Sequence, residues 1–192
     1  MLTPRQAELA DAALRILGRE GIAAVTFRAV AAESGWSLGA VQKAFASKAL
    51  LDAAVLERLR ETSVAIPPGE PGRPTLKAWL VELMLAVLPL DESRREATLR
   101  GAAFAERAAF DESIGRVIAE GDEGIRSHVA RRVRRAQSEG ELLAGLDPDH
   151  VAWAFLALAT GAANQLLYDP VKEPVVRARV DSAIGGPFGA IE

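Results

Sequence analysis

The chain has 192 residues, a formal net charge of −3 and no cysteine. Apolar residues make up 49% of it, which indicates a globular protein with a substantial core rather than a disordered one. Without cysteine there is no disulfide, zinc-thiolate or thiol chemistry, and this suits a reducing cytoplasm. The sequence has two isolated histidines and no H-E-x-x-H motif, so we expect no metal site and no cofactor. Alanine and leucine dominate, and the β-branched residues form no alternating runs, so the sequence predicts an all-α fold.

The first predicted helix begins at Thr3-Pro4-Arg5-Gln6. Proline suits the first position of a helix, and threonine followed three residues later by glutamine is the pattern of a capping box. Charged residues interrupt the apolar positions throughout this segment, so we expect no signal peptide.

The stretch Thr26–Lys48 is typical of two short helices that meet at a tight turn. Its first helix has apolar residues at spacings of three and four, with Thr26 in position to cap it. Gly35 ends that helix, because a left-handed terminal residue strongly favours glycine. Ser37 can cap the second helix, which leaves Gln42 and Lys43 pointing outward. The pattern indicates a helix-turn-helix whose second helix can enter a DNA major groove.

The same stretch also matches the nucleophile elbow of serine hydrolases, G-x-S-x-G, at residues 35–39. That motif needs a β-strand before the serine, whereas the preceding residues have helical spacing. A triad also needs a downstream histidine, and nothing β-like separates Ser37 from His128 or His150. We therefore interpret Ser37 as a helix cap and predict no catalytic residue.

The net charge looks wrong for a DNA-binding protein until the chain is divided. Residues 1–66 contain eight basic and seven acidic residues, a net charge of +1, and the remainder contains 15 and 19, a net charge of −4. Attraction to phosphate depends on the local face rather than on the total. The charge distribution therefore permits DNA binding by the N-terminal part.

A proline- and glycine-rich segment at residues 66–74 is the clearest boundary in the chain. It predicts an N-terminal helix-turn-helix domain at residues 1–65 and a C-terminal helical domain at residues 75–192. Within the second domain, Val151 to Tyr168 is a stretch of 18 residues without a charge. We expect it to be a core helix buried on all sides rather than a membrane span, because it contains polar residues and has no basic anchor at either end.

Residues 5–55 resemble the DNA-binding domain of the tetracycline-repressor (TetR) family of bacterial transcription regulators. The matching features are the helix AELADAALRILGREG, the apolar-Thr-Phe entry to the next helix, the stretch AVAAESGWSLGAV, and FASK followed by Leu50-Leu51. The helical remainder, with LDPDHVAWAFLALATGAANQLLYDP near its end, is similar to the ligand-binding and dimerisation domain of that family. The resemblance implies a cytoplasmic homodimeric repressor that binds palindromic double-stranded operator DNA and a hydrophobic small-molecule effector.

The helix-turn-helix and this resemblance together predict a set of DNA-binding residues: Thr26, Arg28, Ser37, Leu38, Gly39, Gln42, Lys43 and Lys48. Gln42 stands where the family commonly has an aromatic residue, so its contact can be a base edge or a phosphate. The predicted effector cavity is mainly apolar with a few polar groups. Its predicted lining residues are Trp79, Met84, Phe104, Arg107, Phe110, His128, Trp153 and Asn164.

Two other classes of protein remain open at this stage. One is an enzyme that uses the helical cavity, although no Ser/His/Asp set or carboxylate pair is visible. The other is a helical small-molecule-binding or adaptor protein that has lost DNA binding. Binding to the DNA upstream of its own gene would distinguish the three.

Overall fold

The structure is a computed structural model that describes residues 2–61, 75–142 and 145–185. These residues form nine α-helices and no strand, so the predicted all-α class is confirmed. The helices are α1 (Pro4–Glu20), α2 (Phe27–Ser34), α3 (Leu38–Ala44), α4 (Lys48–Glu61), α5 (Leu76–Val87), α6 (Glu92–Ala108), α7 (Glu112–Ser138), α8 (Pro148–Tyr168) and α9 (Glu173–Gly185).

The chain divides into two compact units. Unit 1 comprises Met1–Ser63 and Leu99–Gly121, and unit 2 comprises Val64–Thr98 and Asp122–Glu192. The end of α6 and the start of α7 therefore belong with the N-terminal helices. The predicted linker at residues 66–74 lies outside the described residues, and a domain boundary there stays a prediction.

Unit 1 has a core built from the inner faces of α1 to α4. Leu9, Ala13, Val30 and Val41 are fully buried in it, and Phe104 and Ile114 from the second segment join the same cluster. The capping box predicted at Thr3 and Gln6 is present, since each side chain accepts a hydrogen bond from the other residue's backbone N–H. The Gln6 amide also donates to the Ala44 carbonyl at 3.0 Å, which ties the first turn of α1 to the end of α3.

Unit 2 has a separate core. Its fully buried members come from α5, α7, α8 and α9, and among them are Leu80, Met84, Val133, Phe155 and Ile184. A small cavity of about 10 Å³ lies among α5, α8 and α9, with room for about one water molecule.

Helix α8 departs from the expectation that it is buried on all sides. It is a helix long and apolar enough to cross a membrane, yet only 28% of its most apolar stretch is buried. Trp153 is 63% exposed and Leu158 is 37% exposed. The prediction of full burial is wrong for the single chain, because one side of α8 packs into the unit 2 core while Trp153 and Leu158 lie on the side that stays uncovered.

Candidate nucleic-acid interface

The turn between α2 and α3 has the geometry that the sequence predicts. Gly35 follows α2 with a φ of 75°, in the left-handed region where a side chain is strained. The Thr26 hydroxyl caps α2 by accepting a hydrogen bond from Ala29 N at 3.1 Å. The Ser37 hydroxyl caps α3 by accepting from Ala40 N at 3.2 Å. Ser37 therefore caps the start of α3 and does not follow a strand. The serine of the G-x-S-x-G match is a helix cap.

An open groove on unit 1 brings together five of the eight predicted DNA-binding residues. It has a volume of about 510 Å³ and is lined by Thr26, Phe27, Arg28, Leu38, Gln42 and Lys48. The entry of α2, the first turn of α3 and the start of α4 therefore meet on one face. The groove contains two cationic side chains and an amide.

The other three predicted residues, Ser37, Gly39 and Lys43, are exposed on α3 or at its cap. A Cβ placed on Gly39 would meet no atom within 4 Å, so the backbone there is open to close approach. Lys43 lies in the last turn of α3. All eight predicted residues are thus exposed or partly exposed, and their contacts with DNA stay a prediction.

One side chain beside this surface was not predicted from the sequence. The Arg5 guanidinium lies over the Trp36 ring, 4.4 Å from its centroid. Trp36 is partly buried and packs against the unit 1 core. The ring fixes a cation from α1 next to the N-terminus of α3. Arg5 and Trp36 are far apart along the chain, so no spacing pattern could reveal the pair.

Helix α2 is fastened to α1 by a forked ion pair. The Glu33 carboxylate accepts from Arg15 Nε at 2.8 Å and from Arg19 Nη2 at 2.7 Å. The hydrogen bonds from Arg19 and then Arg15 lower the pKa of Glu33 to about 2. This ion pair links the first helix of the helix-turn-helix to α1.

We expect Glu33→Gln to destabilise the protein at neutral pH but not in strong acid. A carboxyl group whose pKa is lower in the folded state adds stability above its unfolded pKa, and that stability is lost as the pH falls. The difference in free energy of unfolding between wild type and Glu33→Gln should therefore shrink between pH about 4.5 and about 2. Urea denaturation at several pH values measures it, with Glu8→Gln, at an exposed site on α1, as control. A difference in free energy of unfolding that stays constant with pH would contradict the lowered pKa of Glu33.

The eight predicted effector residues are divided between the two units. Trp79 and Met84 are buried in the unit 2 core, whereas Phe104 is fully buried in the unit 1 core and Arg107 pairs with Asp52 there. Phe110 follows α6 and is 92% exposed, and Trp153 and Asn164 lie on the uncovered side of α8. None of the eight lines the small cavity of unit 2.

Two of the eight residues do meet, in unit 2. The rings of Trp79 and His128 lie 5.5 Å apart with a tilt of 37°, and the Arg132 guanidinium lies 5.1 Å from the Trp79 centroid. His128 Nδ1 lies 3.2 Å from Arg131 Nη2. A guanidinium only donates, so Nδ1 accepts and the neutral ring carries its proton on Nε2.

His128 Nε2 is buried and has no hydrogen-bond partner among the described residues. Burial lowers the pKa of His128, and the charges of Arg131 and Arg132 lower it further. The ring is therefore neutral at pH 7, and it presents an unpaired N–H beside an aromatic face.

Two family matches cover most of the chain. Residues 9–55 match the bacterial regulatory proteins of the tetR family, and residues 74–186 match the family of BetI-type transcriptional repressors, C-terminal part. The chain belongs to the TetR family of transcriptional regulators. TetR membership makes it a DNA-binding transcriptional regulator, and the groove on unit 1 lies within the matched N-terminal segment.

Individual relatives agree with the TetR assignment. The HTH-type nicotine-responsive transcriptional repressor HdnoR of Paenarthrobacter nicotinovorans is 27% identical over 170 residues, covering 86% of this chain and 85% of that protein. A transcriptional regulator from Rhodococcus sp. Rha1 has a TM-score of 0.81 at 26% identity, with 94% of each chain covered. A transcriptional regulator from Saccharomonospora viridis in complex with choline has a TM-score of 0.74 at 19% identity, with 98% of each chain covered.

Proposed function

We propose that this TetR-family protein is a cytoplasmic homodimeric repressor that binds a palindromic operator and releases it when a small-molecule effector binds. The observation that carries the proposal is the groove in which Arg28, Gln42 and Lys48 converge. Cations from separate elements on one face suit phosphate contacts on both sides of a helix in the major groove. Gln42 supplies an amide that can pair with a base edge.

Lys43→Ala and Lys48→Ala should weaken binding to every DNA sequence, whereas Gln42→Ala should change the preference between operator variants. Each lost phosphate contact lowers the salt slope of binding by about one. A lost bidentate base contact costs about 1–3 kcal/mol at the base that it reads. Fluorescence anisotropy with DNA from upstream of the gene measures both. Lys77→Ala removes the same charge from unit 2 and is the matched control. Unchanged DNA binding in Lys43→Ala, Lys48→Ala and Gln42→Ala would refute the assignment of these residues to the DNA contact.

The homodimer is proposed to form through α8 and α9. Five exposed residues of α8 recur at spacings of three and four along one face, and they are Trp153, Ala157, Gly161, Asn164 and Tyr168. On α9, Val175, Ala178 and Ser182 are exposed with the same periodicity. A second copy is a better partner for this face than lipid, because Thr160, Asn164 and Gln165 are exposed polar residues on α8. Small residues at its centre let two helices approach closely.

The effector is proposed to bind in unit 2 beside Trp79 and His128. The unpaired N–H on His128 Nε2 needs an acceptor, and the guanidinium groups of Arg131 and Arg132 favour a negative or electron-rich group. The Trp79 ring offers an aromatic face. The effector class that fits is an aromatic or apolar molecule with a carbonyl or carboxylate. Because neither Trp79 nor His128 lines the small cavity of unit 2, and Trp79 is buried in the core, binding beside them must open the core.

Thermal shift with aromatic carboxylates such as benzoate and indole-3-acetate tests this class, with choline as the contrasting cation. A ligand at a hundred times its dissociation constant adds about 2.7 kcal/mol of stability. His128→Phe keeps the ring beside Trp79 but removes the N–H, so the shift should disappear. His150→Phe, at an exposed position on α8, should leave the shift intact. A shift with choline alone, unaffected by His128→Phe, would count against both the class and the site.

The rival functions make different predictions. The fold and family do not favour an enzyme, and Ser37, the one motif-based nucleophile, is a helix cap. An adaptor that has lost DNA binding would keep the α8–α9 surface but would not bind its own upstream DNA.

A further inference from the structure

One buried carboxylate in unit 1, that of Asp52, takes no part in the proposed function as described so far. Asp52 on α4 is the charged side chain with no solvent exposure among the residues whose burial the structure describes. A charge in that position is costly to bury unless it is paired. Its environment therefore has to supply cations.

Two cations meet Asp52. The Lys48 ammonium, one turn earlier on α4, pairs with Oδ1, and Arg107 Nη1 from α6 lies 2.9 Å from Oδ2. Oδ2 accepts no hydrogen bond of good geometry, so Arg107 acts on it mainly through charge. The carboxylate is thus shared by one cation on its own helix and one from a helix that follows much later in the chain.

Lys48 also lines the groove, and its side chain is partly exposed. Its ammonium therefore lies between the buried carboxylate and the place proposed for DNA. With Asp52 and Lys48 alone, the two charges would cancel, and a phosphate would have to pull Lys48 away from an otherwise unpaired buried anion. The second cation removes that obstacle, because Arg107 continues to neutralise Asp52 when Lys48 turns to the DNA.

We propose that Arg107 is a positioning residue for DNA binding: by neutralising buried Asp52, it leaves the Lys48 ammonium available to a DNA phosphate. This role rests on the proposed contact of Lys48 with DNA. The positioning role takes the place of the effector contact that the sequence predicted for Arg107.

Arg107→Met keeps the apolar stem and removes the charge. Operator affinity should fall about tenfold, the size of one charge-assisted hydrogen bond, and the salt slope should fall by about one, although Arg107 does not line the groove. Arg107→Lys keeps the charge and should restore binding. Arg116→Met removes an arginine from α7 of the same unit and should leave affinity unchanged. A purely structural role for Arg107 would lower stability without changing the salt slope.

A double-mutant cycle with Lys48→Met decides the mechanism. If Arg107 acts through Lys48, adding Arg107→Met to Lys48→Met should cause no further loss of affinity. Fully additive losses would overturn the inference, and so would a normal affinity and slope in Arg107→Met. If Lys48→Met alone leaves binding intact, the proposed Lys48 contact fails together with the inference, and this result is distinct from the other two. Arg107→Gln, which keeps a polar cover over Asp52, replaces Arg107→Met in every arm if circular dichroism shows that Arg107→Met does not fold, either alone or combined with Lys48→Met.

Discussion

Leu158→Glu is expected to convert the protein to a monomer and to abolish operator binding at the same time. Leu158 is 37% exposed on the uncovered side of α8, so a glutamate there is tolerated in the isolated chain. In a symmetric dimer it would place two carboxylates within one apolar interface, which costs several kcal/mol. A dimer holds its recognition helices one helical turn apart, roughly 34–36 Å or a multiple of it, and a monomer binds only half of a palindrome.

Light scattering measures the oligomeric state, and fluorescence anisotropy on the same sample measures operator binding. Leu99→Glu is the matched control, since Leu99 is 48% exposed and belongs to α6 rather than to α8 or α9. Val176→Glu is a poor second test despite its place on α9, because Val176 is buried in the unit 2 core and the change would unfold the chain. An unmodified protein that is monomeric at micromolar concentration would refute the dimer, as would a Leu158→Glu variant that stays dimeric.

Phe104→Ala is expected to lower the free energy of unfolding by about 3–5 kcal/mol. The Phe104 ring is fully buried in the unit 1 core, so its removal leaves a cavity there. This is a large share of the roughly 5–15 kcal/mol that stabilises a typical domain. Urea denaturation followed by circular dichroism measures the loss.

Phe110→Ala is the matched control, because it deletes the same ring from a site that is 92% exposed. We expect its effect to stay within about 0.5 kcal/mol. A small effect of Phe104→Ala, combined with a lost response to benzoate or indole-3-acetate, would instead favour the effector role that the sequence predicted for Phe104.

The helix-turn-helix could be predicted from the sequence because its signals are local. The caps at Thr3, Thr26 and Ser37 and the left-handed Gly35 depend on residues within three positions of each other, and all four are present. The surface of α3 followed from the same spacing, since a helix that buries Val41 must expose Gln42 and Lys43. The family resemblance rested mainly on residues 5–55, which include this stretch.

The effector residues could not be predicted in the same way. Phe104 and Phe110 lie six residues apart and are chemically identical, yet one is in a core and the other is in solvent. Arg107 has a cationic side chain of the kind that can contact a ligand, but it pairs with Asp52 on another helix. His128 and Trp79 do lie close together, but the sequence had grouped them only as two members of a set of eight.

Sequence alone therefore determined the all-α class, the caps and the recognition helix, because each depends on contacts within one or two helical turns. Tertiary structure alone decided which aromatic rings are buried, which cation neutralises Asp52 and which face of α8 stays uncovered. Those outcomes depend on which helices pack together, and a helical period gives the direction of a side chain without naming the helix that it meets. The uncovered face of α8 shows this most clearly: its apolar period indicates burial, and whether the same chain or a second copy covers it depends on packing.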